Sequence, residues 1–192
     1  KILTTEDAIH AFEINVSCPN VKEGGLIFGN DPDQVSTITA AVKAATSKPV
    51  FIKLSPNTAR IADFAIRAKE NGADAVSAIN TLVGTAFNIW TRKPKIHNVT
   101  GGLSGPAIKP VALAKVFEIS RNCDIPIIGI GGISNSDDVL EFMIAGATAI
   151  QLGTINFVQP DAATKIVDGL INYCETMKIN KLRSLTASYE LN

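Results

Sequence analysis

Ile125-Pro126-Ile127-Ile128-Gly129-Ile130-Gly131-Gly132 is the stretch that decides how the rest of the chain reads. Residues 125–130 show no alternation between wet and dry faces, so they predict a strand of a parallel sheet covered on both sides. Two glycines end it. An amphipathic run follows, with Val139, Leu140 and Met143 on one stripe, Ser134 or Ser136 as its cap and Gly146 closing it. The stretch is therefore the strand and turn of one strand–helix unit.

Four further units are readable on either side. Their strands are residues 11–16, 50–54, 73–79 and 147–152. Asp31-Pro32-Asp33-Gln34 offers an N-cap, a proline at the first helical position and an acceptor beyond it. Val35, Ile38 and Val42 then recur at helical spacing until Lys48-Pro49. Asn57 is the expected cap of the next helix, with Ile61, Phe64, Ala65 and Ala68 inward and Gly72 at its C-terminal turn. A third helix, 108–121, carries Leu113, Val116 and Phe117 inward, and Ile166, Val167, Leu170 and Ile171 mark the last. A short tail helix is expected near 180–189. Strands alternating with helices imply a parallel sheet with the helices outside it. No linker or low-complexity segment interrupts the pattern, so residues 1–192 read as one domain. The connection 82–106, rich in Gly, Thr and Asn and carrying Trp90, has the length of a binding loop or lid.

Composition narrows the function. Lys plus Arg and Asp plus Glu both number 18, so the chain lacks the basic footprint a nucleic-acid partner or an anionic membrane surface requires. The apolar run 125–133 is far shorter than a membrane span. Cys18, Cys123 and Cys174 form no CxxC pair and stand apart from the two histidines. A zinc site and a disulfide framework are both disfavoured, and a reducing, cytoplasmic location is expected. Cys123 and Cys174 read as small buried fillers, and His10 and His97 as ordinary polar positions.

The polar residues gather at the C-terminal ends of the apolar runs, where (β/α) barrels and open α/β sheets bind ligands. Asn15, Ser17 and Cys18 end the first run, Asn80-Thr81 the third, Gly131-Gly132 the fourth and Gly153-Thr154 the fifth. Lys53 lies inside the second, where an unpaired ammonium is costly. It either snorkels to a rim or is aimed at an anionic ligand. Cys18 follows a strand in a polar loop, a setting for a nucleophile or a base. The two glycine turns on consecutive units suit a phosphate, whose oxygens accept from closely approaching backbone N–H groups. The dinucleotide fingerprint is not met, because Ser134 stands where its third glycine belongs.

Taken in order, Asn15-Val16-Ser17-Cys18-Pro19-Asn20, Lys53-Leu54-Ser55-Pro56-Asn57, Asn80-Thr81, Gly101 to Pro106, Gly131-Gly132 and Gly153-Thr154 resemble the C-terminal part of the dihydroorotate dehydrogenase family. Cysteine at position 18 resembles the cytosolic class I enzymes. Gly24-Gly25, Gly29, Thr91-Arg92-Lys93-Pro94 and residues 101–110 resemble their NAD-linked, two-subunit branch. The resemblance implies oxidation of dihydroorotate to orotate in pyrimidine biosynthesis, with hydride passing to FMN. It implies Cys18 as the base, Lys53 at the flavin's N1/C2=O edge, and Asn15, Asn20, Asn80 and Thr81 holding orotate. Asn15, Ile79 and Gly105 would also meet the flavin, and Gly131, Gly132, Gly153 and Thr154 its phosphate. No metal site is implied. FAD and a [2Fe–2S] cluster would belong to a partner subunit, and the catalytic chain would be a homodimer.

Members of that family fold as (β/α)₈ barrels, and five units are visible, which would be strands 4–8 with the first three units absent. Because the chain also lacks an initiator Met, it is expected to be part of a longer protein. Two other readings remain: the pyrimidine-reducing barrel of dihydropyrimidine dehydrogenase, which has a similar Asn-x-Ser-Cys-Pro loop, and a non-catalytic barrel fragment. Asn20 and the short 21–25 segment favour dihydroorotate dehydrogenase.

Overall fold

A computed structural model describes residues 2–17 and 31–191. In chain order its elements are β1 (Phe12–Asn15), α1 (Pro32–Lys43), β2 (Val50–Leu54), α2 (Ile61–Glu70), β3 (Ala75–Ala78), β4 (Leu82–Gly84), β5 (Gly101–Leu103), α3 (Lys109–Asn122), β6 (Ile127–Ile130), α4 (Ser136–Ala145), β7 (Ala149–Gln151), α5 (Ile155–Val158) and α6 (Ala162–Met177). Single 3₁₀ turns lie at Ile2–Thr5, Pro106–Ile108 and Leu182–Leu185.

Five strands form one parallel sheet in the order β1-β2-β3-β6-β7, as the alternating pattern predicts. The order follows the chain without reversal. α1 packs on α2, α2 on α3, α3 on α4 and α4 on α6, so the helices make a single layer. That arrangement is the wall of a barrel, since a doubly wound sheet places helices on both faces.

The strands do not have two equally apolar faces, contrary to the sequence reading. In β2 Val50, Ile52 and Leu54 are fully buried, while Phe51 and Lys53 keep partial access to solvent. The first set lies under the helices with Val76, Ile127, Val116 and Phe142 in the core. Full burial of each such side chain stabilises by about 1.5–3 kcal/mol. The second set faces the inside of the wall. Register aligns Asn15 with Lys53, Lys53 with Ser77, and Ser77 with Ile128. Aligned side chains of parallel strands share a face.

The wall is strongly curled. Gln151 Nε2 of β7 donates to Glu13 Oε2 of β1 at 2.7 Å, although these are the two outer strands. In a flat sheet at about 4.8 Å per strand they would stand about 19 Å apart, beyond the reach of two side chains.

Helix ends follow the sequence in part. Asp31 caps α1 by accepting from the Asp33 N–H at 2.9 Å, with Pro32 in the first turn. Gly146, at φ +124°, closes α4. The cap of α4 is neither expected serine but Asn135, whose side chain accepts from the Asp138 N–H at 2.9 Å. Nor does Asn57 cap α2, which starts four residues later. Glu118 of α3 accepts from the Ala62 N–H instead, at 3.2 Å.

On α6, Ile166 is buried, but Val167 and Ile171 are about half exposed, so the inward stripe is narrower than expected. Cys174 on the same helix is partly exposed, whereas Cys123 is buried as expected. The tail helix reduces to the turn Leu182–Leu185. The connection 82–106 holds the antiparallel pair β4–β5, and its tip displays Trp90, 87% exposed, on a turn where Asn88 Oδ1 accepts from the Trp90 and Thr91 N–H groups.

Truncating Ile52 to Ala empties a fully buried site between sheet and helices. Ile52→Ala in the full-length protein should lose about 2–5 kcal/mol of stability. Urea denaturation should then show a lower midpoint with an unchanged m-value, and a midpoint within error of wild type would contradict this core assignment.

Candidate active site at the C-terminal ends of the strands

Each parallel strand delivers its last residues to the same end of the wall, and there the chain turns polar. Asn80 joins three of these ends. Its N–H donates to the Leu54 carbonyl at 2.9 Å, just past β2. Its Nδ2 donates to Asn15 Oδ1 at 3.0 Å and to Ser17 Oγ at 2.9 Å, at the end of β1. Its Oδ1 accepts from the Thr81 N–H at 2.7 Å. Ser17, 2% exposed, donates through its hydroxyl to the Lys53 carbonyl at 3.2 Å. Beside Asn80, the Ile79 N–H donates to the Ile130 carbonyl at 2.7 Å, tying β3 to β6.

An open cavity of about 320 Å³ lies over these ends. It is lined by Lys53, Ile79, Asn80 and Thr81 together with Gly105, Gly131, Gly132, Gly153 and Thr154. The structure therefore gathers nine of the expected site residues around one space. Asn15 is outside the lining and is joined to it through Asn80. Cys18 and Asn20 lie outside the described residues, as do Gly24, Gly25 and Gly29.

Lys53 is not a rim lysine. Its side chain is 19% exposed, it lines the cavity, and its ammonium lies 3.4 Å from Glu13 Oε1 on the neighbouring strand. Next to it in register, Ser77 Oγ is fully buried and has no hydrogen-bond partner among the described residues.

The two glycine turns differ in kind. Gly132 has φ +77°, and a Cβ there would stand 2.7 Å from the Lys109 nitrogen and 2.9 Å from the Gly105 carbonyl. Backbone from two loops therefore meets at a point that only glycine fits. A Cβ on Gly153 would meet nothing within 4 Å. Thr154 anchors that second turn by donating from Oγ1 to Ser104 Oγ at 2.8 Å.

A clamp beneath the first turn fixes it. Lys109 Nζ lies 2.6 Å from Asp138 Oδ1 and 3.0 Å from Glu141 Oε1, while Asp138 Oδ2 accepts from the Ser134 N–H at 2.7 Å. The hydrogen bond to Asp138, then that to Glu141, holds the Lys109 ammonium above the usual lysine range. The fold favours this proton, so the lysine's own share of stability is complete below its ordinary pKa and is lost as pH rises through the raised value.

Three residues outside the expected set position this site: Ser17, Ser55 and Asn57. Asn57 donates to the Thr81 carbonyl at 3.1 Å and accepts from the Val83 N–H at 3.1 Å, fixing the start of β4. Ser55 Oγ accepts from the Asn57 N–H at 3.1 Å. The signal for all three was their place immediately after strands one and two.

The chain belongs to the dihydroorotate dehydrogenase family, whose model matches residues 2–174. Two of its relatives are each named dihydroorotate dehydrogenase B (NAD(+)), catalytic subunit. The one from Caldicellulosiruptor saccharolyticus is 50% identical over 95% of this chain and 61% of its own length. The one from Caldicellulosiruptor bescii is 50% identical over 100% of this chain and 63% of its own length. The chain thus spans about three fifths of these relatives. A crystal structure of DHODH from Eimeria tenella in complex with ferulenol superposes with a TM-score of 0.77 at 23% identity, covering 93% of this chain and 54% of that one. That likeness shows the fold, an α/β architecture of the TIM-barrel family. Among the described residues no helix is long and apolar enough to cross a membrane.

The glycine turns make a paired test. Gly132→Ala should destabilise the protein by about 1–3 kcal/mol, because both the backbone angle and the space oppose a Cβ. Gly153→Ala should fall within about 0.5 kcal/mol of wild type. Equal losses by urea denaturation would contradict the loop contact described for Gly132.

Proposed function

We propose that the protein is an FMN-dependent oxidoreductase that converts dihydroorotate to orotate in pyrimidine biosynthesis. The observation that carries this reading is the convergence of Lys53, Asn80, Thr81 and two glycine turns on one cavity at the strand ends, in a chain of the dihydroorotate dehydrogenase family.

The residues fit FMN. Gly153 presents bare backbone beside open space, Gly132 excludes any side chain, and Lys53 lines the same cavity as these turns. In this reading Gly131, Gly132, Gly153 and Thr154 hold the phosphate through backbone N–H groups. Ile79, Gly105 and Asn15 meet the ring system. Lys53 faces the N1/C2=O edge, where a preorganised cation stabilises developing negative charge. When bound, FMN supplies the acceptor for the hydride on C6 of dihydroorotate.

The chain's own residues do the remainder. Cys18, next to Ser17 in the sequence, takes the proton from C5. Asn15, Asn20, Asn80 and Thr81 hold the pyrimidine and its carboxylate. The bonds from Asn80 to Asn15 and Ser17 set both amides before substrate arrives, which spares ordering cost on binding.

The five strands are read as strands 4–8 of an eight-stranded barrel, and residues 1–192 as a single FMN-binding barrel domain. Strands in chain order, one helix layer and a curled wall support this, as does the greater length of the relatives. The names of those relatives contain "catalytic subunit", which supports assembly with a second subunit carrying FAD and a [2Fe–2S] cluster for electron transfer to NAD. A homodimer of the catalytic chain in the cytoplasm completes the proposal.

The full-length protein should carry a flavin absorbance band that bleaches with dihydroorotate and not with dihydrouracil. Bleaching by dihydrouracil alone would assign it to the dihydropyrimidine-reducing enzymes, and absence of flavin would leave a non-catalytic barrel.

Cys18→Ser should retain flavin while its reduction slows by about 10²–10⁴-fold near neutral pH, the usual contribution of a positioned base. Unchanged single-turnover reduction would remove Cys18 from that role. Lys53→Ala should weaken flavin binding by about 1.5–3 kcal/mol, the worth of a hydrogen bond to a charged group. Wild-type occupancy measured by titration would count against it.

A further inference from the structure

Lys53 does not face the cavity alone. Glu13 projects from β1 onto the same inner face, and its Oε1 lies 3.4 Å from Lys53 Nζ. The two side chains are 19% and 26% exposed, so water screens the pair only in part. The other carboxylate oxygen is held from across the wall: Gln151 Nε2 donates to Glu13 Oε2 at 2.7 Å, and Gln151 itself lines the cavity. The contact with Gln151 is much the shorter. The carboxylate is therefore drawn toward β7 and kept at the edge of its ion pair with Lys53.

We propose that Glu13 is a positioning residue that sets how strongly Lys53 acts on the cofactor, and that Gln151 sets Glu13. This rests on the FMN reading above. A carboxylate 3.4 Å from the ammonium cancels part of its field at the flavin edge. The reduced ring is the more electron-rich form, so full lysine charge would favour reduction and a partly cancelled one favours it less. Glu13 holds the flavin potential below the value Lys53 alone would give. Gln151, by holding the far oxygen, stops the carboxylate from closing on the ammonium and cancelling more of it.

The two partners thus have opposite expected effects, which a general loosening of the wall would not produce. The test is the two-electron midpoint potential of the flavin-loaded, full-length protein, read by equilibrium reduction against a dye of known potential. Glu13→Gln keeps the shape and a hydrogen bond to Gln151 but removes the charge. It should raise the midpoint by at least a tenfold change in the reduction equilibrium, about 30 mV for a two-electron couple. Gln151→Leu should lower it. Should Glu13→Gln lose its flavin, Glu13→Asp, which withdraws the charge by one methylene, should give a smaller rise. A midpoint that stays put or falls in the Glu13 variant overturns the proposal, as does a rise in Gln151→Leu. A wild-type protein that takes up no FMN overturns the functional reading and this inference with it, whereas a flavin-loaded protein with unmoved potentials overturns this inference alone.

Discussion

A side chain in a regular strand has two places to go, and the choice alternates from one residue to the next. In β2 that constraint places Val50, Ile52 and Leu54 under the helices and leaves Lys53 on the inner face. Slipping the strand by one residue would drive Lys53 into the helix layer and expose three core aliphatics. The buried face is thus what aims the polar one. Asn15, Lys53 and Ser77 come level because the register that packs the core also aligns them. The site needs no separate scaffold; it is the other side of the core.

Two lysine–carboxylate pairs serve this architecture in different ways. Lys109 and Asp138 lie beneath a loop at 2.6 Å, with Asp138 also accepting from the Ser134 N–H. Their bonds are short and committed, and they fix backbone at the Gly131-Gly132 turn. Lys53 and Glu13 meet at 3.4 Å beside the cavity, with the carboxylate shared by Gln151. A long, shared contact leaves charge available to a ligand, while a short, saturated one does not. The geometry separates the pair that supports from the pair that is poised.

The five strands of the parallel sheet and most helix positions were legible in the sequence because each depends on residues close together, whereas the short β4–β5 hairpin was read only as a connection. Apolar runs and the 3.6-residue stripe are local signals. So were the polar strand ends, which is why Lys53, Asn80 and both glycine turns could be named and are found around one space. Misreadings arose where a polar residue had two plausible partners. Asn57 precedes a helix and looks like its cap, yet its amide is used by Thr81 and Val83 on the following hairpin. Asn135 outcompetes the serines on either side because its side chain reaches the Asp138 N–H. The expected burial of Val167 and Ile171 came from periodicity alone, which marks an apolar face without saying what covers it. The bond between Glu13 and Gln151 spans 138 positions and exists only because the wall curls. No local pattern carries it.

The single tryptophan has a practical corollary. Trp90 stands on the tip of the β4–β5 connection, 87% exposed and away from the helix-covered core. Its emission therefore starts from the red, water-relaxed end of the spectrum even in the folded protein. Denaturation moves it little, so intrinsic fluorescence is a poor gauge of unfolding for this chain. The same property makes the indole an optical marker for whatever lands on that arm, since loss of water around residue 90 shifts its colour to the blue.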